Sequence, residues 1–214
     1  MNDQPRITFL GQSGFLLETS DFTLLIDPTN KKSGDYSGDL VYCTHEHMDH
    51  VGGVEVFMER NPQAILLGSE NVTKKFSIYG DRTVTCEDGG TFEKSQWHLE
   101  FKRLRHGFFK GVINLGIVVT LGEFGFAHCG DAVSFDGFPT SPVNVLAVPI
   151  GGGFAAGPRK ALNFIQQLSE PLPTIVPMHW VFRNPRGFCK KVTETVPNAN
   201  CIVPTKGEPL KGFD

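Results

Sequence analysis

The sequence lacks the features that would place the protein in a membrane or on nucleic acid. None of its 214 residues belongs to a run of about 18 apolar residues, the length that a membrane-spanning helix requires. The amino terminus shows no basic region followed by an apolar run, so a signal peptide is not indicated. A formal net charge of −3 provides no attraction to anionic lipid or to polyanions. We therefore expect a cytoplasmic protein without membrane or nucleic-acid partners.

The sequence also lacks paired cysteines. Its five cysteines are scattered along the chain, and no Cys-x-x-Cys motif occurs. Secreted domains that depend on disulfides usually have an even number of cysteines, and cysteine-based zinc sites have close pairs. We therefore expect all five residues to be reduced thiols, namely Cys43, Cys86, Cys129, Cys189 and Cys201.

No linker-like or low-complexity segment divides the chain, so we expect a single domain over residues 1–214. Apolar runs punctuated by glycine and polar turns predict an early meander, a β-rich middle and a final third that alternates strands and helices. This order predicts an α/β fold in which two sheets pack face to face with helices outside. The expected strands are residues 7–10, 15–18, 22–26, 40–43, 64–67, 83–85, 97–104, 113–121, 124–128, 143–148, 174–177 and 201–203, and the expected helices are 54–60, 69–76, 159–168 and 188–196.

The densest group of ionisable side chains lies at residues 45–50, His-Glu-His-Met-Asp-His. Neutral imidazole and carboxylate suit Zn²⁺ and related divalent ions, so this pattern predicts a metal site rather than solvated loop histidines. In an extended segment or a tight turn, side chains two positions apart leave on the same side. We therefore expect His45, His47 and Asp49 to converge, with His50 facing a second position.

Further ligands must come from elsewhere in the chain if the cluster is to serve two metals. Three residues each follow an apolar run, where a strand end would hold a side chain on a rigid scaffold: His106, Asp131 and His179. Each of them alone could equally be a capping or loop residue. Near Asp131, the alternation of a strand places Cys129 on the same face and His128 on the opposite face.

The order of these motifs resembles that of the metallo-β-lactamase superfamily of binuclear metal hydrolases. The superfamily has an aspartate after the early strands, then His-x-His-x-Asp-His, a single histidine, a bridging aspartate and a final histidine, and this chain matches with Asp27, residues 45–50, His106, Asp131 and His179. The resemblance implies a four-layer αββα sandwich of two mixed β-sheets with helices on the outer faces. It also implies two divalent metal ions, with Zn²⁺ favoured and Mn²⁺ or Fe²⁺ as alternatives.

The resemblance also implies a role for each matching residue. One metal would be held by His45, His47 and His106, the other by Asp49, His50 and His179, with Asp131 as the bridge. Asp27 would support the cluster from behind, although it could instead be a turn former before Pro28. Residues 149–154 and 176–179 resemble the branch that contains L-ascorbate-6-phosphate lactonase.

The expected chemistry is hydrolysis by a water that the metals activate. Two neighbouring divalent ions lower the pKa of a shared water, and Asp49, a ligand beside that water, is the predicted catalytic residue. No Gly-x-Ser-x-Gly motif indicates a serine nucleophile. We therefore predict a hydrolase of the lactonase, esterase or phosphodiesterase type, in which a metal-bridging hydroxide attacks a small ester, lactone or phosphate-bearing metabolite. The alternative is a non-catalytic metal-containing module that binds or senses a ligand.

Four residues are candidates for contact with a small-molecule substrate. Arg183 and Arg186 follow the last histidine and could hold an anionic group, or they could belong to a solvated face. Trp180 and Phe154 adjoin the metal motifs in sequence and could line a mouth that favours apolar or ring-containing substrates. Further aromatic residues near the motifs could share that role or belong to the core: Phe108, Phe109, Phe135, Phe138 and Phe182.

Overall fold

The computed structural model of the protein describes residues 4–108 and 110–213, so Phe109 lies outside the described residues. Two six-stranded β-sheets form the centre of the molecule. The strands of the first sheet neighbour one another in chain order: Arg6–Gly11 (β1), Gly14–Glu18 (β2), Thr23–Ile26 (β3), Leu40–Cys43 (β4), Ile65–Gly68 (β5) and Thr83–Thr85 (β6). β1 to β3 pair antiparallel, and β3 to β6 pair parallel.

The second sheet has the order β12-β11-β10-β9-β8-β7. Its strands are Thr91–Lys94 (β7), Trp97–Leu104 (β8), Asn114–Leu121 (β9), Phe124–His128 (β10), Val145–Pro149 (β11) and Thr174–Met178 (β12). β7 to β10 pair antiparallel, whereas β10 to β12 pair parallel. Each sheet is therefore mixed, and within each parallel part the carboxyl ends of the strands lie along one edge.

β4 shows why apolar residues run without a break through the centre of the first sheet. All four of its residues are buried. Leu40 and Tyr42 belong to the core between the sheets. Val41 and Cys43 belong to the core under the helices of the first sheet. Both faces of a central strand are thus covered, which explains the absence of polar alternation.

Aromatic side chains join the two sheets across the inner core. The rings of Tyr42 and Phe101 stack with centroids 5.5 Å apart, and those of Phe15 and Phe126 lie 5.4 Å apart. The hydroxyl of Tyr42 donates a 2.7 Å hydrogen bond to the carbonyl of Leu115, so this buried polar group is satisfied. The same rings that fill the core therefore also fix how one sheet sits on the other.

Helices cover the outer face of each sheet. They are Met48–Val51 (α1), Val54–Arg60 (α2), Glu70–Lys75 (α3), Pro158–Ile165 (α4) and Pro185–Thr195 (α5), with 3₁₀ turns at Lys31–Gly34 and Ser77–Arg82. α2 and α3 pack their buried side chains into the core outside the first sheet. α4 contacts β11 and α5 contacts β12. This arrangement confirms the predicted α/β class and the layer order helix, sheet, sheet, helix; that the chain is one domain stays a prediction.

Several predicted elements differ from the observed ones. β7 was not predicted, because its residues alternate between exposed and half-buried and carry little apolar signal. The expected strand at 201–203 is absent, and Cys201 forms only one isolated bridge, to Ile175. α4 ends at Ile165 rather than near 168. In residues 4–108 and 110–213 no helix is long and apolar enough to cross a membrane.

The expectation that every cysteine is reduced is wrong for two of them. Cys189 of α5 and Cys201 form a disulfide, with their Cα atoms 5.2 Å apart. The other three cysteines are free and buried: Cys43, Cys86 and Cys129. Spacing alone could not reveal the pair, because it forms only when α5 packs beside the segment that follows it. A cytoplasmic location stays a prediction.

Candidate metal centre

The ionisable residues that follow separate strands in the sequence meet in space. β3 ends before Asp27, β8 ends just before His106, β10 ends three residues before Asp131, and β12 ends before His179. β4 leads directly into the histidine cluster, whose second half forms α1. Their ligand atoms fall into three overlapping groups, each with all its atoms within 4.8 Å of one another: His45, His47 and His106; His45, His50 and Asp131; Asp49, His50 and His179.

The first group contains three imidazoles and no carboxylate. The Nε2 atom of His45 lies 3.0 Å from the Nδ1 atom of His47. Two nitrogen ligands on one tetrahedral Zn²⁺ stand roughly 3.4 Å apart, so this pair is close to the spacing of two ligands on one ion. His106 donates a 2.8 Å hydrogen bond from Nδ1 to the carbonyl of Gly107, which leaves its Nε2 lone pair available.

The group of Asp49, His50 and His179, which we call the second group, contains two imidazoles and a carboxylate. The Nε2 atom of His179 lies 3.4 Å from Oδ2 of Asp49, and that of His50 lies 3.7 Å from the same oxygen. His50 is completely buried and donates from Nδ1 to Oδ2 of Asp27 over 2.7 Å. This carboxylate contact fixes the ring so that Nε2 points away from Asp27.

Asp131 stands between the two groups. Its Oδ1 atom lies 3.4 Å from Nε2 of His50, and its Oδ2 atom lies 3.2 Å from Nε2 of His179 and 4.0 Å from that of His106. The residue is 2% exposed. One carboxylate therefore reaches histidines of both groups, the position that a bridging ligand would need.

The convergence expected from the spacing of the cluster alone is wrong in one respect. Asp49 does not join His45 and His47 but lies with His50 and His179. The reason is local: the chain turns helical at Met48, so residues 49 and 50 no longer continue the alternation of an extended segment.

Polar atoms without partners concentrate at this centre. Within the described residues, eight buried side-chain atoms have no hydrogen-bond partner, and five of them belong here: His50 Nε2, His106 Nε2, Asp131 Oδ1 and both ring nitrogens of His179. Buried polar groups are almost always hydrogen-bonded, so such a concentration needs an explanation. Nitrogen and carboxylate donors in this arrangement fit divalent metal ions. That these seven residues are metal ligands stays a prediction.

The pKa values of the histidines divide along the two groups. Burial lowers the pKa of His45 well below its usual value, and the nearby His50 adds to that effect. Burial also lowers the pKa of His47, with help from His106. For His50 burial would do the same, but the charges of Asp131 and Asp27 outweigh it and raise the pKa well above the usual value. The carboxylates thus demand positive charge at the second group.

The other two members of the second group agree with this demand. Burial would lower the pKa of His179, but contacts with Asp131 and Asp49 raise it to about 9. Burial would raise the pKa of Asp49, but His179 and His50 lower it to about 2. For Asp131 the charge of His50 overcomes burial and holds the pKa well below its usual range. Cations, either protons or metal ions, are therefore strongly favoured beside these carboxylates.

Asp27 connects β3 to the histidine cluster. It is completely buried and accepts hydrogen bonds of 2.8 Å from both the backbone N–H and the hydroxyl of Thr44, in addition to the bond from His50. Its φ of 45° lies in the left-handed region, as do those of Gln12 and His179. Non-glycine residues rarely adopt this conformation, and they concentrate where the surroundings impose it at functional sites. The turn-former alternative for Asp27 does not account for these three bonds.

The turn between β1 and β2 contributes residues that no sequence pattern predicts. Gln12 donates from Nε2 to Oδ2 of Asp49 over 3.1 Å, and its carbonyl accepts from the backbone N–H of His179 over 2.7 Å. Ser13 places its hydroxyl 3.2 Å from Nδ1 of His50. A glycine-punctuated turn at residue 11 is common in any hairpin, so only the fold reveals that this one touches the centre.

His128, expected to face away from Asp131, is part of the support of the centre. It is completely buried, donates from Nε2 to the carbonyl of Ser13 over 2.8 Å, and accepts at Nδ1 from the N–H of Gly130 over 3.1 Å. Gly130 has a φ of 55°, which breaks the strand alternation, and a Cβ there would collide with the Oδ1 atom of Asn114. That same Asn114 oxygen accepts from the N–H of Asp131 and holds the turn.

The candidate substrate residues differ in exposure and in the groups that they contact. Phe154 is 46% exposed. Its carbonyl accepts a hydrogen bond from the N–H of Gly107, and its ring meets the ring of Phe108 edge-on. Trp180 is partly exposed and stacks on Phe9. Arg183 donates from Nε to the carbonyl of Gly151 over 3.2 Å. Arg186 is exposed on α5. Of the other aromatics, Phe135 and Phe138 are buried, whereas Phe108 and Phe182 are exposed.

Known proteins resemble the chain in sequence as well as in fold. A family profile described as a beta-lactamase superfamily domain matches residues 6–179, the range that holds every residue of the three groups. The chain belongs to the metallo-β-lactamase superfamily. A UPF0173 metal-dependent hydrolase from Methanosarcina mazei is 30% identical over an alignment that covers 96% of this chain and 98% of that relative. One from Salinibacter ruber is 29% identical and covers 81% of this chain and 84% of its own length.

Solved structures of the superfamily share the fold of this hydrolase. Igni18, a metallo hydrolase from the archaeon Ignicoccus hospitalis, has a TM-score of 0.83 at 23% identity, over 96% of this chain and 97% of its own. The metallo-β-lactamase fold protein YhfI from Bacillus subtilis has a TM-score of 0.81 at 14% identity, over 96% and 98% of the two chains. The family profile and the sequence relatives identify the protein as a metal-dependent hydrolase of the metallo-β-lactamase superfamily, and its histidine and aspartate cluster is able to hold metal.

Proposed function

We propose that this hydrolase works with two divalent metal ions, held by the two groups of side chains and shared through Asp131. The observation that supports the proposal is the set of five buried nitrogen and oxygen atoms without hydrogen-bond partners. The donor types favour Zn²⁺, with Mn²⁺ or Fe²⁺ as alternatives. When bound, such a pair lowers the pKa of a shared water and polarises a carbonyl or phosphoryl oxygen.

Asp49 is the proposed catalytic residue. Its side chain is 49% exposed, so unlike Asp131 it can be reached from solvent. Its pKa of about 2 keeps the carboxylate ionised across the neutral range. An ionised carboxylate accepts a hydrogen bond from the attacking water and orients it, whereas so low a pKa makes the group a poor resting store for the proton. The bond from Gln12 keeps the carboxylate in place during this step.

Asp27 and Asp131 keep the histidines in position, and their negative charges favour bound cations. Asp27 holds the ring of His50 through Nδ1. Asp131 is itself held at its backbone by Asn114. Carboxylates behind a ligating histidine fix its orientation and raise its basicity, which strengthens metal binding.

For the substrate we propose a small ester, lactone or phosphate-bearing metabolite with an apolar or ring-shaped part. The support is the partly exposed aromatic border formed by Phe154 and Trp180, with Arg183 anchored beside the loop that faces His179. Arg186 would add positive charge at the outer edge. Sugar-phosphate lactones are the first class to test, because residues 149–154 and 176–179 resemble the lactonase branch.

Counting metals tests the proposed centre. The purified protein should carry two divalent ions per chain by elemental analysis, and His106→Ala and His179→Ala should each lower the count to one. His98→Gln is the matched control, because His98 lies on β8 and contacts Glu93 rather than the centre. A wild-type count of one, or loss of both ions in each variant, would contradict two separable sites.

A substrate screen separates the hydrolase from the binding or sensor module. Metal-loaded protein should hydrolyse at least one class among lactones, carboxylic esters and phosphodiesters, and chelation should abolish that activity. Asp49→Asn should reduce kcat by more than about a hundredfold while the protein still folds and binds metal. A fully metal-loaded protein inert to all three classes would favour the binding module, although membership in a hydrolase family favours catalysis.

A further inference from the structure

A cavity of about 360 Å³ lies beside the candidate metal centre. Gln12 lines it and at the same time donates to Asp49, so one side chain belongs to both. Trp180, the residue after His179, forms another wall. We call this cavity the tryptophan pocket. Its volume lies at the lower end of the range of small-molecule sites, which suits part of a ligand rather than a large one.

The indole of Trp180 provides a fixed aromatic wall. It stacks on the ring of Phe9 with centroids 5.2 Å apart and planes 29° from parallel. Phe9 is 1% exposed, so it is held rigidly in the core, whereas Trp180 is partly exposed. An aromatic side chain backed by the core loses little entropy when a planar or apolar group packs against it.

The pocket has one charged group, and it is positive. Lys206 lines the cavity, and its side chain lies against Gly11. A Cβ atom added to that glycine would lie 3.1 Å from Cδ of the lysine. The next residue, Gly207, donates from its N–H to the carbonyl of Phe9 over 2.7 Å, which fixes the segment. Within the described chain Lys206 forms no ion pair, and no carboxylate lines the pocket.

We propose that the tryptophan pocket binds the part of the substrate that carries a planar ring and an anionic group, a carboxylate or a phosphate. The ring packs against Trp180, the anion pairs with Lys206, and the scissile bond is then directed past Gln12 toward Asp49. This assignment rests on the proposed hydrolase function for the direction of the scissile bond, but the binding itself does not require hydrolysis.

The test measures binding at Trp180 in the full-length, metal-loaded protein. The chain has only two tryptophans, and the other, Trp97, is 2% exposed in the core, so indole N–H signals in ¹⁵N NMR distinguish them once Trp180→Phe assigns one. The probes are phenylacetate, phenyl phosphate and the neutral phenylacetamide. We expect both anions to shift the Trp180 signal and to bind about tenfold more tightly than the amide, since one paired charge contributes about that factor.

Variants of Lys206 identify the source of the preference. Lys206→Met should remove the tenfold preference for the anions, and Lys206→Arg should keep it. Lys211→Met, at an exposed lysine five residues further along the chain, should change nothing. Equal binding of phenylacetate by wild type and Lys206→Met would overturn the proposal, and so would a Trp180 signal that none of the three probes moves. If Lys206→Met keeps the preference for phenyl phosphate alone, the phosphate binds the metal ions rather than Lys206. That result would also overturn the proposal.

The same readout separates this proposal from the proposed function. If the screen finds no hydrolysis but the anions bind at Trp180 through Lys206, the pocket stands and the hydrolase mechanism fails. If hydrolysis is found but Lys206→Met binds the probes like wild type, the mechanism stands and the pocket fails.

Discussion

The candidate metal centre has two halves that differ in charge: the first group (His45, His47 and His106) and the second group (Asp49, His50 and His179). In the first, His45 and His47 have lowered pKa values and are neutral near pH 7, ready to act as ligands. In the second, carboxylates raise the pKa of His50 and bring that of His179 to about 9. A metal ion entering the second half therefore replaces protons as the compensating charge, whereas one entering the first half does not. Two sites a few ångströms apart can thus differ in affinity although histidines form most of both.

Replacing Asp131 should remove the difference in charge between the two halves. It is the only described residue with contacts to His50, His179 and His106 together, so Asp131→Asn removes the charge that the two halves share. We expect kcat/KM to fall by more than about a hundredfold, the upper range for supporting residues of metal sites, and both ions to bind more weakly. Elemental analysis beside kinetics checks this. Loss of one ion alone would show that Asp131 belongs to one half.

Replacing Asp27 should weaken the second half alone. Asp27→Asn removes the negative charge that holds Nδ1 of His50, while the amide can still accept from Thr44. We expect the affinity for one of the two ions to fall about 10- to 100-fold, as measured by competition with a fluorescent chelator. Asp81→Asn, a change at an exposed residue of the 3₁₀ turn, is the control and should have no effect. An equal loss at both ions would refute the division.

A smaller effect is expected at Gln12. Gln12→Ala removes the bond to Asp49 but keeps the main-chain carbonyl that accepts from His179. One partly exposed hydrogen bond to a charged group contributes about 1 kcal/mol, so kcat should fall roughly fivefold with a neutral substrate. The metal count should stay at the wild-type value. Should the variant instead lose an ion, the turn would be supporting the metal site rather than orienting Asp49.

The smallest effect is expected at His128. Like His45 and His47 of the first half, it has a lowered pKa, although it supports the second half. Burial lowers its pKa, so the unfolded state binds a proton more readily than the folded state does. His128 therefore makes its full contribution to the free energy of unfolding above its unfolded-state pKa of about 6.5. This contribution is lost as the pH falls below that value, by at most about 1.4 kcal/mol per pH unit.

His128→Gln tests this without changing charge at neutral pH. The amide can still donate to the carbonyl of Ser13, but it does not titrate. Urea unfolding of wild type and variant at pH 7 and pH 5 should show that the wild type loses more of its unfolding free energy on acidification. Parallel losses in the two proteins would mean that His128 carries no such dependence.

The members of the centre could be predicted from the sequence because their residue types and their order along the chain indicate the chemistry. His-x-His-x-Asp-His and the single residues at strand ends identified all seven side chains that the fold brings together. Their division into two groups came from the family resemblance and not from spacing, because α1 begins at Met48 and turns Asp49 away from His45. A helix of four residues is too short for sequence periodicity to predict.

The supporting residues could not be predicted, because they act through positions rather than through residue types that signal chemistry. Gln12 and Ser13 belong to an ordinary hairpin turn, and only their contacts with Asp49 and His50 in the folded chain show that they reach the centre. His128 was expected on the wrong face because Gly130 interrupts the strand that the alternation assumes. β7 and the pairing of Cys189 with Cys201 likewise depend on contacts between distant segments.

The disulfide gives the carboxyl-terminal segment a second anchor. Cys201 is tied to α5 across a sequence separation of 12, and five residues later Lys206 reaches the tryptophan pocket. Closing a loop of this size in the unfolded chain is worth about 3 kcal/mol. The redox state of the surroundings therefore sets how firmly this segment is held, and preparations of the protein with and without thiol reductant should be treated as two different samples.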